Sequence, residues 1–152
     1  MAAKIRRMHP RDVAAVALLY REANQFTSVE VIEAWTLKTL AEFPEYHLVY
    51  GSGDAIFGAI SATREKTTGL IQDIATLASK RRHGVGTLLL KTLLERFRND
   101  GMKKVQLWVH KMSEATIPFY ERHGFRILRR ERSQGISDVP DGEEIAILEK
   151  NL

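Results

Sequence analysis

The stretch IQDIATLASKRRHGVGTLLLKTLLERF, residues 71–97, decides the fold of this chain. The segment from Ile71 to Leu77 has the composition of a strand, and the segment from Val85 to Phe97 carries apolar residues at helical spacing. A basic loop with two glycines joins them. The first four N–H groups of a helix have no partner within it, and the helix dipole adds positive potential there. The junction is therefore a candidate anion site, which we interpret as a diphosphate-binding site.

The loop reads Arg81-Arg82-His83-Gly84-Val85-Gly86, and Lys80 precedes it. Its two glycines lack Cβ atoms, so a phosphate can approach the backbone closely. Taken alone, such a basic cluster is more often a solvated surface turn. It is not a dinucleotide fingerprint, because Leu89 occupies the position of the third glycine, and no Lys-Ser/Thr pair follows as in a P-loop.

Length and composition predict one globular domain over residues 1–152, since 44% of the residues are hydrophobic and 28% are charged. No apolar run approaches the ~20 residues that cross a bilayer, so no membrane partner is expected. Cysteine is absent, which excludes disulfides, thiolate metal sites and a covalent mechanism through an enzyme thiol. These features favour a cytoplasmic location.

The net charge of +4 permits acidic partners. Lys and Arg are scattered, however, and the small basic clusters are not interleaved with aromatic residues, as they are in many nucleic-acid binders. Nucleic acid is therefore not the expected partner, although a basic nucleic-acid-binding protein remains a third hypothesis. A polyanionic cofactor would account for part of the charge.

Residue patterns predict the element order β-α-α-β-β-β-α-β-α-β-β, which mixes hairpins with one β-α-β crossover. The expected class is α/β (α+β), with a mixed, mostly antiparallel central sheet flanked by helices. The predicted strands cover residues 4–8, 47–50, 55–63, 68–77, 104–109, 125–130 and 145–148. The predicted helices cover residues 10–24, a segment from Thr27 or Ser28 to Pro44, residues 85–100 ahead of a left-handed Gly101 cap, and a segment from an N-cap at Ser113 to His123.

With this order the chain resembles the GNAT superfamily of acetyl-CoA-dependent N-acetyltransferases across nearly its whole length. Residues 81–86 meet the family's phosphate-loop pattern, Arg/Gln-x-x-Gly-x-Gly/Ala, and the segment SEATIPFYERHGF, residues 113–125, is similar to the family's Asn-x-x-Ala-x-x-hydrophobic-Tyr-x-x-x-Gly-Phe. The chain departs from the family at three positions: Ser113 replaces the usual Asn, Thr76 a Val and Arg82 a common Gly.

The resemblance implies acetyl-CoA as co-substrate, no metal, and direct transfer of the acetyl group to a primary amine in a ternary complex. It implies that strand residues hold the pantetheine arm and that the loop and the start of the following helix hold the diphosphate. The residues implied to bind the cofactor are Ile74, Ala75, Thr76, Arg81, Arg82, His83, Gly84, Val85, Gly86, Thr87, Ser113 and Arg122.

Two residues are the expected catalysts. The resemblance places the Tyr120 hydroxyl near the thioester sulfur, where a neutral phenol can donate to the leaving thiolate. Packing of an aromatic ring in a helix is the competing explanation for this tyrosine. Asp73 is a candidate base or a site for the substrate cation, and it is equally explained as a structural ion pair. His110 is the competing base. The backbone N–H of Thr76 or Ala75 is the expected oxyanion donor.

The acceptor pocket is expected between residues 24–46 and the loop 133–144. Trp35 and Phe26 are candidates to line it, although aromatics at helical spacing are also typical of a core. The acceptor class stays open among small-molecule amines, peptide N-termini and lysine side chains. The alternative function is a non-catalytic acetyl-CoA-binding sensing or interaction module, and a homodimer is compatible with either.

Overall fold

A computed structural model describes residues 2–24, 27–136 and 139–152 of the chain. Within these residues, seven strands form one sheet in the order β1-β2-β3-β4-β5-β7-β6. The strands are β1 Lys4–Arg7, β2 His47–Ser52, β3 Ala55–Glu65, β4 Thr68–Thr76, β5 Lys104–His110, β6 Arg126–Arg132 and β7 Glu144–Asn151.

The α-helices are α1 Val13–Ala23, α2 Val29–Glu42, α3 Val85–Asn99 and α4 Ile117–Arg122. Short 3-10 turns lie at Pro10–Asp12, Pro44–Tyr46, Ala78–Lys80 and Lys111–Thr116. The predicted order of elements is confirmed. β4 and β5, joined through α3, pair in parallel, and the other neighbouring strands pair antiparallel, as the single crossover predicts.

The sheet separates two hydrophobic cores. On one face, α3 contributes Leu89, Leu93 and Phe97, which lie on one side of the helix because they are spaced four residues apart. On the other face, α1 and α2 pack through residues such as Val16 and Ile32. Burial of these side chains on both faces fixes the position of β4, the strand that carries Asp73.

His47 joins α2 to β2 inside the protein. Its ring is fully buried, Nδ1 lies 2.8 Å from the carbonyl oxygen of Phe43, and Nε2 lies 2.9 Å from the hydroxyl of Thr39. Because a carbonyl can only accept, Nδ1 carries the proton and donates it. Burial lowers the pKa of His47 below its ordinary value, so the ring is held in its neutral form.

The prediction that Ser113 caps the fourth helix is wrong. Ser113 has φ −110° and ψ 15°, which is outside the helical region, and it lies inside a 3-10 turn that begins after His110. The α-helix starts at Ile117, and Pro118 lies in its first turn. Proline is favoured there because its missing N–H would have no partner within the helix.

Candidate active site

A gap between β4 and β5 forms the candidate site. The two strands pair in parallel through Thr68, Gly69 and Leu70 of β4, where the pairing seen in the described residues ends. Beyond this point the strands separate around a cavity of about 100 Å³. Its lining comes from residues 71–74 of β4, residues 107–110 of β5, and Ala23, Asn24, Ser113, Thr116 and Tyr120.

A β-bulge marks the start of the gap. Ser61 of β3 lies opposite Asp73, whereas Ala62 lies opposite Ile71, so Gln72 is an extra residue on β4. A bulge bends its strand and increases the local twist. The bend coincides with the point at which β4 leaves β5.

The register of β3 and β4 decides which backbone groups face the gap. The N–H of Leu77 donates to Phe57 at 2.7 Å, and alternate residues of an antiparallel strand point toward the same neighbour. Ala75 therefore directs its N–H to β3, while Ile74 and Thr76 direct theirs into the gap. Of the two expected oxyanion donors, Thr76 has the right orientation and Ala75 does not.

The N-terminus of α3 lies at one end of β4 and has no side-chain cap. Gly84 is the N-cap residue in the left-handed region, with φ 78°, and a Cβ atom at this position would meet nothing within 4 Å. The N–H of Leu88 makes the first i to i−4 hydrogen bond, at 2.9 Å to Gly84. The three N–H groups before it, those of Val85, Gly86 and Thr87, therefore have no partner within the helix and are available to bind an anion at the helix end.

The basic residues of the loop surround this helix end. Arg81 donates from Nε to the carbonyl oxygen of Thr76 at 3.3 Å. Arg82 has φ 66°, a left-handed conformation that costs a residue with a side chain roughly 1–2 kcal/mol. This conformation explains why the resembled family often has glycine here. His83 is exposed and is in the same turn.

Arg122 and His123 bring α4 to the same end of α3. The Nε2 atom of His123 lies 3.3 Å from the Thr87 hydroxyl. Burial lowers the pKa of His123, and the positive charges of Lys91, Arg122 and Lys150 lower it further. Arg122 is exposed beside this contact, so its charge adds to the positive potential around the first turn of α3.

Tyr120 reaches the cavity from α4 and is 7% exposed. Its ring makes edge contacts with Phe119, at 5.2 Å between centroids, and with Phe125, at 5.8 Å. Burial raises its pKa, and the negative charge of Asp73 raises it further. The phenol therefore stays protonated at neutral pH and can act only as a donor toward a developing anion.

Asp73 lies within a small polar network on the α1 side of the sheet. The hydroxyls of Tyr20 and Ser61 are 2.7 Å apart, and Ser61 is the strand partner of Asp73. Burial raises the pKa of Tyr20, and the charge of Asp73 raises it further. The charge of Asp73 thus acts on two neutral phenols, one in the core on each face of the sheet.

His110 lines the cavity but has the wrong proton arrangement for a base. Its Nδ1 accepts the N–H of Met112 at 3.0 Å. In the neutral ring the proton is then on Nε2, which lies 3.6 Å from the carboxylate of Glu143. No lone pair of the imidazole is left for an amine, so Asp73 is the better candidate base.

Some expected pocket residues lie elsewhere. Trp35 is half-buried on α2 beneath the ammonium group of Lys38, 5.1 Å from the ring centroid, and is not among the described residues that line the cavity. Phe26 lies outside the described residues. The loop 133–144 approaches the site through Glu143, at the His110 contact.

Asn24 lines the cavity at the first residue of the expected pocket segment 24–46, whereas sequence reasoning missed the lining residues Gln72, Trp108 and Thr116. Nothing in their local patterns distinguishes them, because the bulge at Gln72 and the separation of β4 from β5 bring them together. Among the described residues, no helix is long and apolar enough to cross a membrane. No group of three His, Asp or Glu side chains within the described ranges has the arrangement of a metal site.

The chain belongs to the acetyltransferase (GNAT) family, whose model matches residues 14–125. A curated relative, GCN5-related N-acetyltransferase 6, chloroplastic, from Arabidopsis thaliana, is 25% identical over 83 residues. The match covers 55% of this chain and 29% of the relative, so the chain spans less than a third of the length of that protein.

Two solved structures share the whole fold. Ard1 from Thermoplasma volcanium is 24% identical, with a TM-score of 0.84 over 100% of this chain and 99% of the other. The PaiA N-acetyltransferase from Thermoplasma acidophilum, solved in complex with coenzyme A, is 19% identical, with a TM-score of 0.75 and 100% coverage of both chains. At these identities the likeness shows the fold.

Proposed function

We propose that the protein is an N-acetyltransferase that moves the acetyl group of acetyl-CoA directly to a primary amine while both substrates are bound. One observation carries the proposal: β4, whose residues 71–74 line the cavity with Tyr120, leads within nine residues to the uncapped N-terminus of α3. An anion site therefore lies on the same strand-loop-helix unit as a cavity with a carboxylate, a neutral phenol and backbone groups that face the gap.

The residues present fit coenzyme A. The open space above Gly84 and the N–H groups of residues 85–87 suit a diphosphate, with Arg81 and Arg82 beside it. The gap-facing backbone of Ile74 and Thr76 suits the amide-containing pantetheine arm, which would add to the sheet edge as a strand does. Once bound, acetyl-CoA supplies an activated thioester carbonyl.

Three groups would then divide the chemistry. Asp73 accepts the proton of the incoming ammonium, directly or through water. The N–H of Thr76 donates to the oxygen of the acetyl carbonyl as negative charge develops there. Tyr120 donates a hydrogen bond to the sulfur. Because its raised pKa lies above the thiol value of about 8.5, complete proton transfer runs uphill, and solvent supplies the final proton of the thiol.

The proposal includes a cytoplasmic location, which the lack of cysteine supports. The competing function is a module that binds acetyl-CoA without turnover. It would need the seat on α3 but would have no use for a protonated phenol and a carboxylate in one cavity. Turnover therefore separates the two functions.

The direct test measures thiol release from acetyl-CoA with a panel of amines: alaninamide, a short peptide with a free N-terminus, and 1,4-diaminobutane. Thermal unfolding with and without acetyl-CoA is followed in parallel, because a ligand that binds only the folded state raises the unfolding temperature. We expect stabilisation by acetyl-CoA and amine-dependent thiol release. Stabilisation without release for any amine would support the binding module instead, and a salt-dependent gel shift without stabilisation would indicate nucleic-acid binding.

A further inference from the structure

Asn24 lines the cavity at the point where α1 ends. Its backbone N–H donates to the carbonyl oxygen of Tyr20 at 2.8 Å, and the residue is 8% exposed. The side-chain oxygen Oδ1 is buried and has no hydrogen-bond partner among the described residues. An unsatisfied buried carbonyl costs free energy, so this atom requires a donor that the described part of the chain does not supply.

The surroundings of Asn24 favour a cationic donor. The described residues that line the cavity include the carboxylate of Asp73 and contain no Lys or Arg, although the chain has 23 such residues. The ring of His110 accepts at Nδ1 and is oriented through Nε2 toward Glu143. A group with several N–H bonds and a positive charge therefore fits this wall of the cavity better than an anion or an apolar group does.

We propose that Asn24 is a specificity-determining residue of the acceptor site, whose Oδ1 accepts a hydrogen bond from the N–H of a primary ammonium group. The inference rests on the proposed function and adds the acceptor's class and its recognition. Once deprotonated for attack, a neutral primary amine has two N–H groups, one for Oδ1 of Asn24 and one for Asp73. A neutral N-methylated amine has a single N–H and can serve only one of these acceptors, so the site selects primary over secondary amines.

Stability and acceptor binding should change in opposite directions when Oδ1 is removed. Asn24→Leu keeps the side-chain size and removes the unsatisfied oxygen, so the free protein should be as stable as the parent or more stable. The KM for alaninamide should rise about 10- to 100-fold, the range that a hydrogen bond to a charged group confers, while the KM for acetyl-CoA stays unchanged. Asn24→Asp retains the acceptor atom and should restore the alaninamide KM.

A matched control replaces a buried polar side chain whose partners are present. Thr39 is 3% exposed and lies 2.9 Å from Nε2 of His47, away from the cavity. Thr39→Val should lower the unfolding temperature and leave the KM for alaninamide unchanged. The opposite behaviour of the two variants distinguishes a recognition residue from a structural one.

The decisive comparison uses alaninamide and N-methylalaninamide. The parent should prefer alaninamide in kcat/KM, and Asn24→Leu should lose most of that preference. An undiminished preference, or an unchanged alaninamide KM in Asn24→Leu, would overturn the role of Asn24 even if the protein is an acetyltransferase. If the parent acetylates neither compound, the proposed function fails for these amines, and thermal unfolding alone tests the role of Asn24. An Asn24→Leu protein less stable than the parent would contradict the presence of an unsatisfied Oδ1. An equally stable or more stable variant would support it.

Discussion

Asp73 on β4 and Tyr120 on α4 line one cavity, where burial and then the negative charge of Asp73 raise the pKa of the Tyr120 phenol. The same carboxylate also raises the pKa of Tyr20, after burial. Burial first and the carboxylate second keep the phenol protonated, which separates the two roles that acetyl transfer needs. The carboxylate can accept a proton from the amine, and the phenol can only donate to the sulfur.

Tyr120→Phe should lower turnover without weakening acetyl-CoA binding. The substitution keeps the ring contacts with Phe119 and Phe125 and removes only the hydroxyl. An interaction made only as charge develops appears in kcat, and one hydrogen-bond donor to a developing negative charge is typically worth about 10²–10³-fold. Single-turnover rates and acetyl-CoA affinity measure the two effects.

Tyr46→Phe, which removes a hydroxyl bonded to Asp100 far from the cavity, is the control and should affect stability only. Near-parent turnover in Tyr120→Phe would make Tyr120 a packing residue.

Asp73→Asn and His110→Gln should separate the two candidate bases. Asp73→Asn removes the carboxylate of the described cavity lining, which is the candidate proton acceptor, so kcat/KM should fall about 10²–10⁴-fold. His110→Gln should change it by less than about tenfold, since the imidazole lone pair is already bonded to the N–H of Met112. A larger loss of kcat/KM in His110→Gln than in Asp73→Asn would make His110, and not Asp73, the catalytic base.

Gly84→Val should abolish stabilisation by acetyl-CoA while the free protein still folds. The new side chain enters the space where the diphosphate must approach, and it is held in a left-handed backbone. Gly101→Val is a matched control at the other end of α3, because Gly101 has φ 81° and equally open surroundings. Both variants carry a similar backbone strain, of about 1–2 kcal/mol. The increase in unfolding temperature caused by acetyl-CoA should be lost in Gly84→Val and kept in Gly101→Val. A full increase in Gly84→Val would contradict diphosphate binding at the N-terminus of α3.

The free energy of unfolding should fall as the pH drops below about 6.5, the ordinary pKa of histidine in the unfolded chain. Burial lowers the pKa of His47 in the folded protein, so the unfolded state binds more protons in this range. Each such group contributes a slope of up to about 1.4 kcal/mol per pH unit until its folded pKa is reached. His123, also lowered, acts in the same direction. Urea unfolding across this range should give a flatter profile for His47→Gln, and an unchanged profile would contradict the neutral buried ring.

Most of the fold is readable from local patterns. The strand-loop-helix at residues 71–97 and the glycines that end α3 and α4 are short-range signals. Gly101 has the positive φ expected of a left-handed cap, 81°, and Gly124 has φ 89°. The order of elements follows from them. The start of α4 cannot be predicted from local pattern. The imidazole of His110 accepts the N–H of Met112 and starts a 3-10 turn, which delays the start of the α-helix.

The site is only partly readable, since its geometry depends on pairing between distant strands. The phosphate loop, Asp73 and Tyr120 can be predicted because each lies within a continuous stretch of sequence that forms a recognisable motif. By contrast, the orientation of Thr76 and Ala75 depends on the register with β3, and the role of His110 depends on one hydrogen bond. The expected pocket segment 24–46 includes Asn24 but does not single it out, because Asn24 joins the cavity only after α1 packs against the sheet.

Direct transfer between two bound substrates is tested by a stoichiometry measurement. The protein is incubated with acetyl-CoA, with and without alaninamide, and three quantities are followed: free thiol, N-acetylalaninamide and the mass of the protein. We expect one thiol for each acetylated amine, release that depends on the amine, and an unmodified protein mass when the amine is omitted. Accumulation of an acetyl group on the protein without amine, or binding of acetyl-CoA with no thiol release for any amine of the panel, would contradict direct acetyl transfer.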